Sequence, residues 1–271
     1  ADCFTCGADT CDPRYLIPWS AGPYGIEPGD LVDDFTMPTL EGGFNLRTAW
    51  TGCDSIVFIV RYPGNNYSTI TWDSSISQLI NKSPLGAHYI FVSAAGSDAQ
   101  AQSEVTAQKA RTDAALNGLP QAQRDHWTPR FHHVTVRAGA VGGWPQQLFT
   151  QRAAGPGWAT AFAIDPQQRL RTIGLLYYVT GAPGSPAMSF IANDVRWHAQ
   201  QKELRRQLDA ETATGIVVFQ DQFVGGTFVD VVFPPAEEMA KYDTMLFDLE
   251  YECSDPWNTL SCEWDYLHGV G

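Results

Sequence analysis

The most reactive side chains in the sequence are six cysteines, at positions 3, 6, 11, 53, 253 and 262. Cys3-Phe4-Thr5-Cys6 has the spacing of a redox dithiol. A working dithiol needs a helix N-terminus to lower its thiol pKa. This one sits instead among Gly and Asp neighbours rather than after a core strand, so a structural disulfide is the expectation. Cys3, Cys6, Cys11 and Cys53 also supply the four thiolates of a tetrahedral zinc site, but nothing nearby resembles a zinc ribbon. Cys253 and Cys262 flank Ser254-Asp255-Pro256-Trp257-Asn258, whose turn residues would let a local hairpin disulfide close. An even cysteine count suits full pairing in an oxidising compartment and predicts an exported protein, secreted, periplasmic or at the cell surface.

The histidines are less promising as ligands. His132 and His133 are adjacent, so on a strand they point to opposite faces and cannot form a simple two-histidine pair. One is expected to be buried and hydrogen-bonded, the other exposed. His88, His126 and His198 are isolated in sequence, and neither a metal nor a cofactor is expected. Asn66-Tyr67-Ser68 and Asn81-Lys82-Ser83 match the N-glycosylation sequon, the second weakened by Pro84, and both read as chance occurrences.

The chain has 271 residues, 30 acidic against 17 basic, and a net charge of -13, which argues against nucleic acid or an anionic membrane as main partner. Its 44% apolar and 12% aromatic content supports a sizeable core. No apolar run reaches the ~18 residues of a membrane-spanning helix, and the start Ala1-Asp2-Cys3 lacks a basic-then-apolar leader. The charge is uneven: residues 1–212 hold 19 acids and 16 bases, a net of -3, whereas residues 213–271 hold 11 acids and one base, Lys241, a net of -10. That break divides the chain into a Cys-, Gly- and Pro-rich segment 1–25, an α/β domain 26–212 and a β segment 213–271.

Within the α/β part, Ser55 to Val60 and Tyr89 to Val92 are continuous apolar runs, as in strands buried on both faces. Ser68 to Ile80, 98–118, Pro145 to Arg152 and Phe190 to Leu208 read as helices, with Asn117-Gly118 as a stop signal. His133 to Val136 reads as a third strand. Trp158 to Ile164 and Arg169 to Tyr178 read as strands joined by the turn Asp165-Pro166-Gln167-Gln168. The order is β-α-β-α-β-α-β-β-α.

Two segments in that order resemble the thioredoxin-like superfamily, in its peroxiredoxin and extracellular redoxin branch. Pro28 to Gly43 (PGDLVDDFTMPTLEGG) is similar to its opening strand and turn, and Phe162 to Leu170 (FAIDPQQRL) to its F-x-I-D-x-x-G-x-I hairpin. The resemblance spans about residues 26–210. It implies a nucleophilic cysteine where strand Ser55–Val60 enters the next helix, faced by a cis-proline. Here that segment is Arg61-Tyr62-Pro63-Gly64-Asn65-Asn66-Tyr67-Ser68-Thr69, without cysteine, and Ala159 takes the proline position. The domain is therefore read as redox-inactive. The groove in which this superfamily handles extended peptides would be lined by Tyr62, Pro63, Asn65, Asn66 and Ala159, and Cys53, at the opposite end of the sheet, would pair with an N-terminal cysteine.

After Gly215, runs at Ile216–Phe219, Thr227–Pro235 and Thr244–Cys253 suggest antiparallel strands, the last alternating apolar and acidic. The string TFVDVVFPP…LEYEC…SCEWDY resembles the start of the peptide-N-glycosidase F family's first jelly roll. That resemblance implies a Cys253–Cys262 bond and makes Asp265 the catalytic carboxylate that activates water against the glycan–asparagine amide. Tyr266 replaces the basic residue that usually follows. A jelly roll of about eight strands cannot be built from residues 213–271. The segment is thus an incomplete all-β unit, finished by further polypeptide or by self-assembly through strand edges.

Three functions follow as expectations. The first is a redox-inactive scaffold or binding module, inert alone, for which glycoproteins or peptides are possible ligands. The second is an N-glycan-releasing amidase once completed. The third is a thiol-disulfide oxidoreductase acting through Cys3 and Cys6.

Overall fold

A computed structural model of the chain describes residues 17–153, 161–173, 187–210 and 232–241. Its centre is set by one strand. Ser55-Ile56-Val57-Phe58-Ile59-Val60-Arg61 carries no polar residue between Ser55 and Arg61, so neither of its faces can be left in water, and β3 (Ser55–Arg61) lies mid-sheet with both faces buried. β4 (Ala87–Ser93) and β5 (Phe131–His133) pair parallel on one side. β6 (Ala161–Ile164) and then β7 (Leu170–Thr172) pair antiparallel on the other, giving the order β5-β4-β3-β6-β7. β1 (Thr36–Thr39) and β2 (Gly42–Asn45) form a separate antiparallel hairpin.

The two faces of the sheet are covered by different parts of the chain. Ile56, Phe58, Val60, Ile90, Val92 and Phe162 pack against Phe35, Met37, Phe44 and Leu46 of the hairpin region, α1 (Leu46–Ala49) included, and against Trp144, Leu148 and Phe149 of α6 (Gly143–Ala153). The alternate residues Val57, Ile59, Tyr89, Phe91 and Phe131 pack against Trp127 and against four helices. These are α2 (Asn66–Asp73) through Trp72, α3 (Ile76–Lys82) through Leu79, α4 (Asp98–Asn117) through Val105, and α7 (Ala187–Ala210) through Ile191.

Several elements depart from the sequence expectation. The single helix expected over Ser68–Ile80 is two helices. Ser74 ends α2 with its hydroxyl on the Ile70 carbonyl (2.7 Å), and Ser75 caps α3 by accepting from the Gln78 amide. These short side chains compete with the backbone ladder and favour caps over helix interiors. The strand expected at His133–Val136 is shifted to Phe131–His133: the Val134 amide makes the last bond to β4, at the Phe91 carbonyl, and the Thr135 amide turns to the Pro38 carbonyl of β1. α5 (Gln121–Trp127) was not expected at all, and it buries Trp127 in the helix-covered core.

α4 agrees with expectation: Ser97 caps its start, Asp98 complements the helix dipole, and Gly118 follows its end. Residues 17–25 lack regular structure apart from a bridge between Tyr24 and Leu31. Of residues 213–271, the described end of the strand expected at Thr227–Pro235, Val232–Pro235, has no regular structure and precedes the short α8 (Ala236–Met239). Asp265, Cys253, Cys262, Cys3, Cys6, Cys11 and Ala159 lie outside the described residues. Cys53 is disulfide-bonded.

Candidate functional site

The chain runs from β3 to β4 and β5 on one side and then crosses to β6 on the other. Open α/β sheets bind ligands outside the carboxyl end of the strand where that reversal occurs. Here that is the end of β3. Arg61 closes the strand and forms an ion pair with Glu104 of α4 at 2.8 Å. The Ser93 hydroxyl, at the matching end of β4, donates to the other Glu104 oxygen at 2.6 Å and accepts from the Ala95 amide at 3.1 Å. Both charges are thereby neutralised within the fold.

The loop that follows is built around Ser68, which is fully buried. Its hydroxyl accepts from the Tyr62 amide at 2.9 Å and lies 3.0 Å from the carbonyls of Tyr62 and Asn65. Asn65 caps α2, its side-chain oxygen accepting from the Ser68 amide at 3.0 Å. Tyr62 corrects the sequence reading. It is 7% exposed and belongs to the core, with its hydroxyl donating to the Phe149 carbonyl at 3.4 Å, so it does not line an open groove. Pro63 and Asn66 are exposed beside Asn65 at the helix start. The Ser68 hydroxyl is bonded to backbone groups, so it clamps the turn and is not activated as a nucleophile.

A second constellation was not foreseen. Glu41, in the β1–β2 turn, accepts from the His133 amide (2.9 Å) and lies 2.7 Å from His133 Nδ1. The opposite ring nitrogen, Nε2, lies 3.2 Å from the Thr112 hydroxyl of α4. Carboxylate, imidazole and hydroxyl follow one another in the order used for nucleophilic catalysis. Thr112 and His133 are each only 1% exposed, however, and the Thr112 hydroxyl also bonds the Gln108 carbonyl at 3.1 Å, so no substrate reaches the oxygen. Burial alone would raise the Glu41 pKa, but the hydrogen bonds and charge of His133 outweigh it and hold the carboxyl below its ordinary value.

His132 faces the other way, as the alternation of a strand requires, but it is half-buried rather than exposed. Its ring packs on Phe44 (centroids 4.7 Å apart) and stacks parallel to His88 of β4 (5.8 Å). Burial, reinforced by His88, pushes its pKa down to about 4. His88 in turn lies 3.6 Å from Asp54. Among the described residues, no group of three or more His, Cys, Asp or Glu is placed to hold a metal ion, and no helix is long and apolar enough to cross a membrane.

No protein-family model and no curated protein matches the chain. The site is therefore judged on its geometry. Of the sequence-predicted residues, the structure brings Pro63, Asn65 and Asn66 together and withdraws Tyr62 into the core. The residues missed were Glu41, Ser93, Glu104 and Thr112. For Glu41 and Thr112 the His132-His133 pair was the one signal, placing an imidazole on each face of one strand; for Ser93 and Glu104 the sequence held none.

Proposed function

We propose that residues 26–212 form a redox-inactive, thioredoxin-like scaffold or binding module that carries the start of a peptide-N-glycosidase F-like β segment. The strand order supports the first half. Two parallel crossovers are followed by an antiparallel hairpin on the far side of β3, with a helix starting directly after that strand. The observation that carries the redox-inactive reading is Ser68. Where a thioredoxin-like enzyme would present a thiolate at a helix start, this chain presents a fully buried hydroxyl bonded to its own backbone. Disulfide exchange and peroxide reduction both require a thiolate. The disulfide at Cys53 suits an exported protein.

Incubation with insulin and dithiothreitol, and separately with hydrogen peroxide, should show no turnover above a protein-free control. A rate that survives replacement of Cys3 and Cys6 but falls on modification of another thiol would overturn this reading. The β segment suggests the second reading, an amidase, through Asp265. Incubation with a denatured N-glycoprotein should release no glycan from this chain alone. An intact native mass above 29.8 kDa would show that further polypeptide completes the β unit.

A further inference from the structure

Two adjacent histidines grip one hairpin from opposite sides of the sheet. β5 is an edge strand, and the β1–β2 hairpin lies along it: Thr39 bridges Val134, the Leu40 amide donates to the His133 carbonyl at 2.8 Å, and the Thr135 amide donates to the Pro38 carbonyl at 3.0 Å. These backbone bonds are few, and side chains reinforce them on each face. On the hairpin-covered face, Phe44 of β2 packs on the His132 ring. On the helix-covered face, Glu41 of the turn binds His133 through its amide and Nδ1. Both reinforcements depend on the protonation state of a side chain.

We propose that the seam between the β1–β2 hairpin and β5 is an acid-released clasp: protonation at His132 and then at Glu41 undoes its two side-chain grips, uncovering the edge of β5 while Phe35, Met37 and Leu46 stay packed on the sheet face.

The surroundings of His132 make it a poor place for a proton. Its Nε2 is buried without a hydrogen-bond partner, so a proton there finds no acceptor. His88 stacks on it from β4, and His133 stands beside it on β5. Arg130 precedes β5 and donates to the carbonyl of His126, which itself sits on α5 against the Leu85 carbonyl. The acid that opposes this is Glu41, already bound to His133, while Asp54 lies 3.6 Å from His88. Around Glu41 the other charges come from α4: Lys109 at 3.9 Å, itself held by Asp113 at 2.7 Å.

The sign follows from linkage. His132 has its pKa lowered from 6.5 to about 4 when clasped, so the open form binds protons first. The clasp weakens as pH falls below 6.5, and the effect levels off near 4. Opening rises on the order of thirtyfold by pH 5 and a hundredfold by pH 4. Glu41 has a lowered pKa when clasped, so its grip is intact above its ordinary 4.5 and is lost as pH falls below it. The two windows follow one another.

Hydrogen exchange on the whole chain at pH 7, 5.5, 4.5 and 3.5, corrected for the intrinsic pH dependence of exchange, tests this. The seam amides of Leu40, His133 and Thr135 should lose protection by tens of fold between pH 7 and 4.5 and exchange faster than Ser55–Arg61 at every pH. H132F should abolish that change above pH 4.5, and E41Q should loosen the hairpin already at pH 7 and remove the further loss below 4.5. Should H132F not fold, an NMR titration of His132 in the unaltered protein decides, and a pKa near 6.5 overturns the proposal. Seam protection that does not change between pH 7 and 4.5, or that equals that of β3 at every pH, overturns it as well.

Discussion

Gln168 shows how a single side chain can reverse the meaning of a motif. In the hairpin Phe162–Leu170 it stands where the thioredoxin-like pattern has glycine, and it adopts φ 63°, a conformation that costs an L-residue roughly 1–2 kcal/mol. The amide offsets this cost. Its oxygen accepts from the Ser20 amide at 2.7 Å and its nitrogen donates to the Val32 carbonyl at 2.7 Å, tying the N-terminal segment to the sheet. Gln168→Ala should lose these bonds and keep the strain, costing about 2 kcal/mol or more in urea unfolding. Gln168→Gly should lose the bonds but relieve the strain, and so fall short of the alanine variant's loss by roughly 0.5–1 kcal/mol. At Ser68, alanine would leave the buried Tyr62 amide without its acceptor, at a cost of about 1–3 kcal/mol, and a shifted urea midpoint would report it.

At the scale of elements, the pair α2–α3 shows what was available in the sequence and not used. Ser75-Ile76-Ser77-Gln78 is a capping-box string that marks a helix start inside the segment read as one helix. The other half of the break was not available. Arg111, far along in α4, donates to the carbonyls of Trp72, Asp73 and Ser74, each at 2.7 Å, and so satisfies the end of α2. Arg111→Ala should cost about 1–2 kcal/mol and speed hydrogen exchange in α2. Lys109→Ala, which breaks a half-buried i,i+4 pair with Asp113 and removes the ammonium 3.9 Å from Glu41, should cost about 0.5–1 kcal/mol in urea unfolding. The long strands and α4 were legible because their signals are local: an unbroken apolar run, a Ser cap and a Gly stop. The candidate site was legible only as a segment, Tyr62 to Ser68. Which of those residues faces water depends on α6 and on the Phe149 carbonyl, 87 positions away from Tyr62.

For the whole molecule, the depressed groups act in one direction. His132 and His198 are both pushed down to about 4, chiefly by burial, with Arg171 reinforcing the shift at His198. Each gives stability that is complete above about 6.5 and declines as pH falls toward 4, on the order of 2–3 kcal/mol per residue. Asp54 and Glu41 have lowered pKa values because the bonds and charges of His88 and His133 outweigh their burial, and they add a loss below about 4 to 4.5. Urea midpoints should therefore fall steadily from pH 7 to pH 4, with H198Q flattening part of the decline. The sequence by itself determined the buried central strands, the turn at Asp165–Gln168, the span of α4 and the absence of a cysteine after β3, since each is written in neighbouring residues. Only the tertiary structure decided that His132 is covered, that His133 meets Glu41, that Tyr62 turns inward and that Gln168 pays for its backbone with bonds to Ser20 and Val32. These depend on groups 92, 87 and 148 positions apart being brought within hydrogen-bond reach. Local propensity carries no record of such distances, and the packing of the two sheet faces alone sets them.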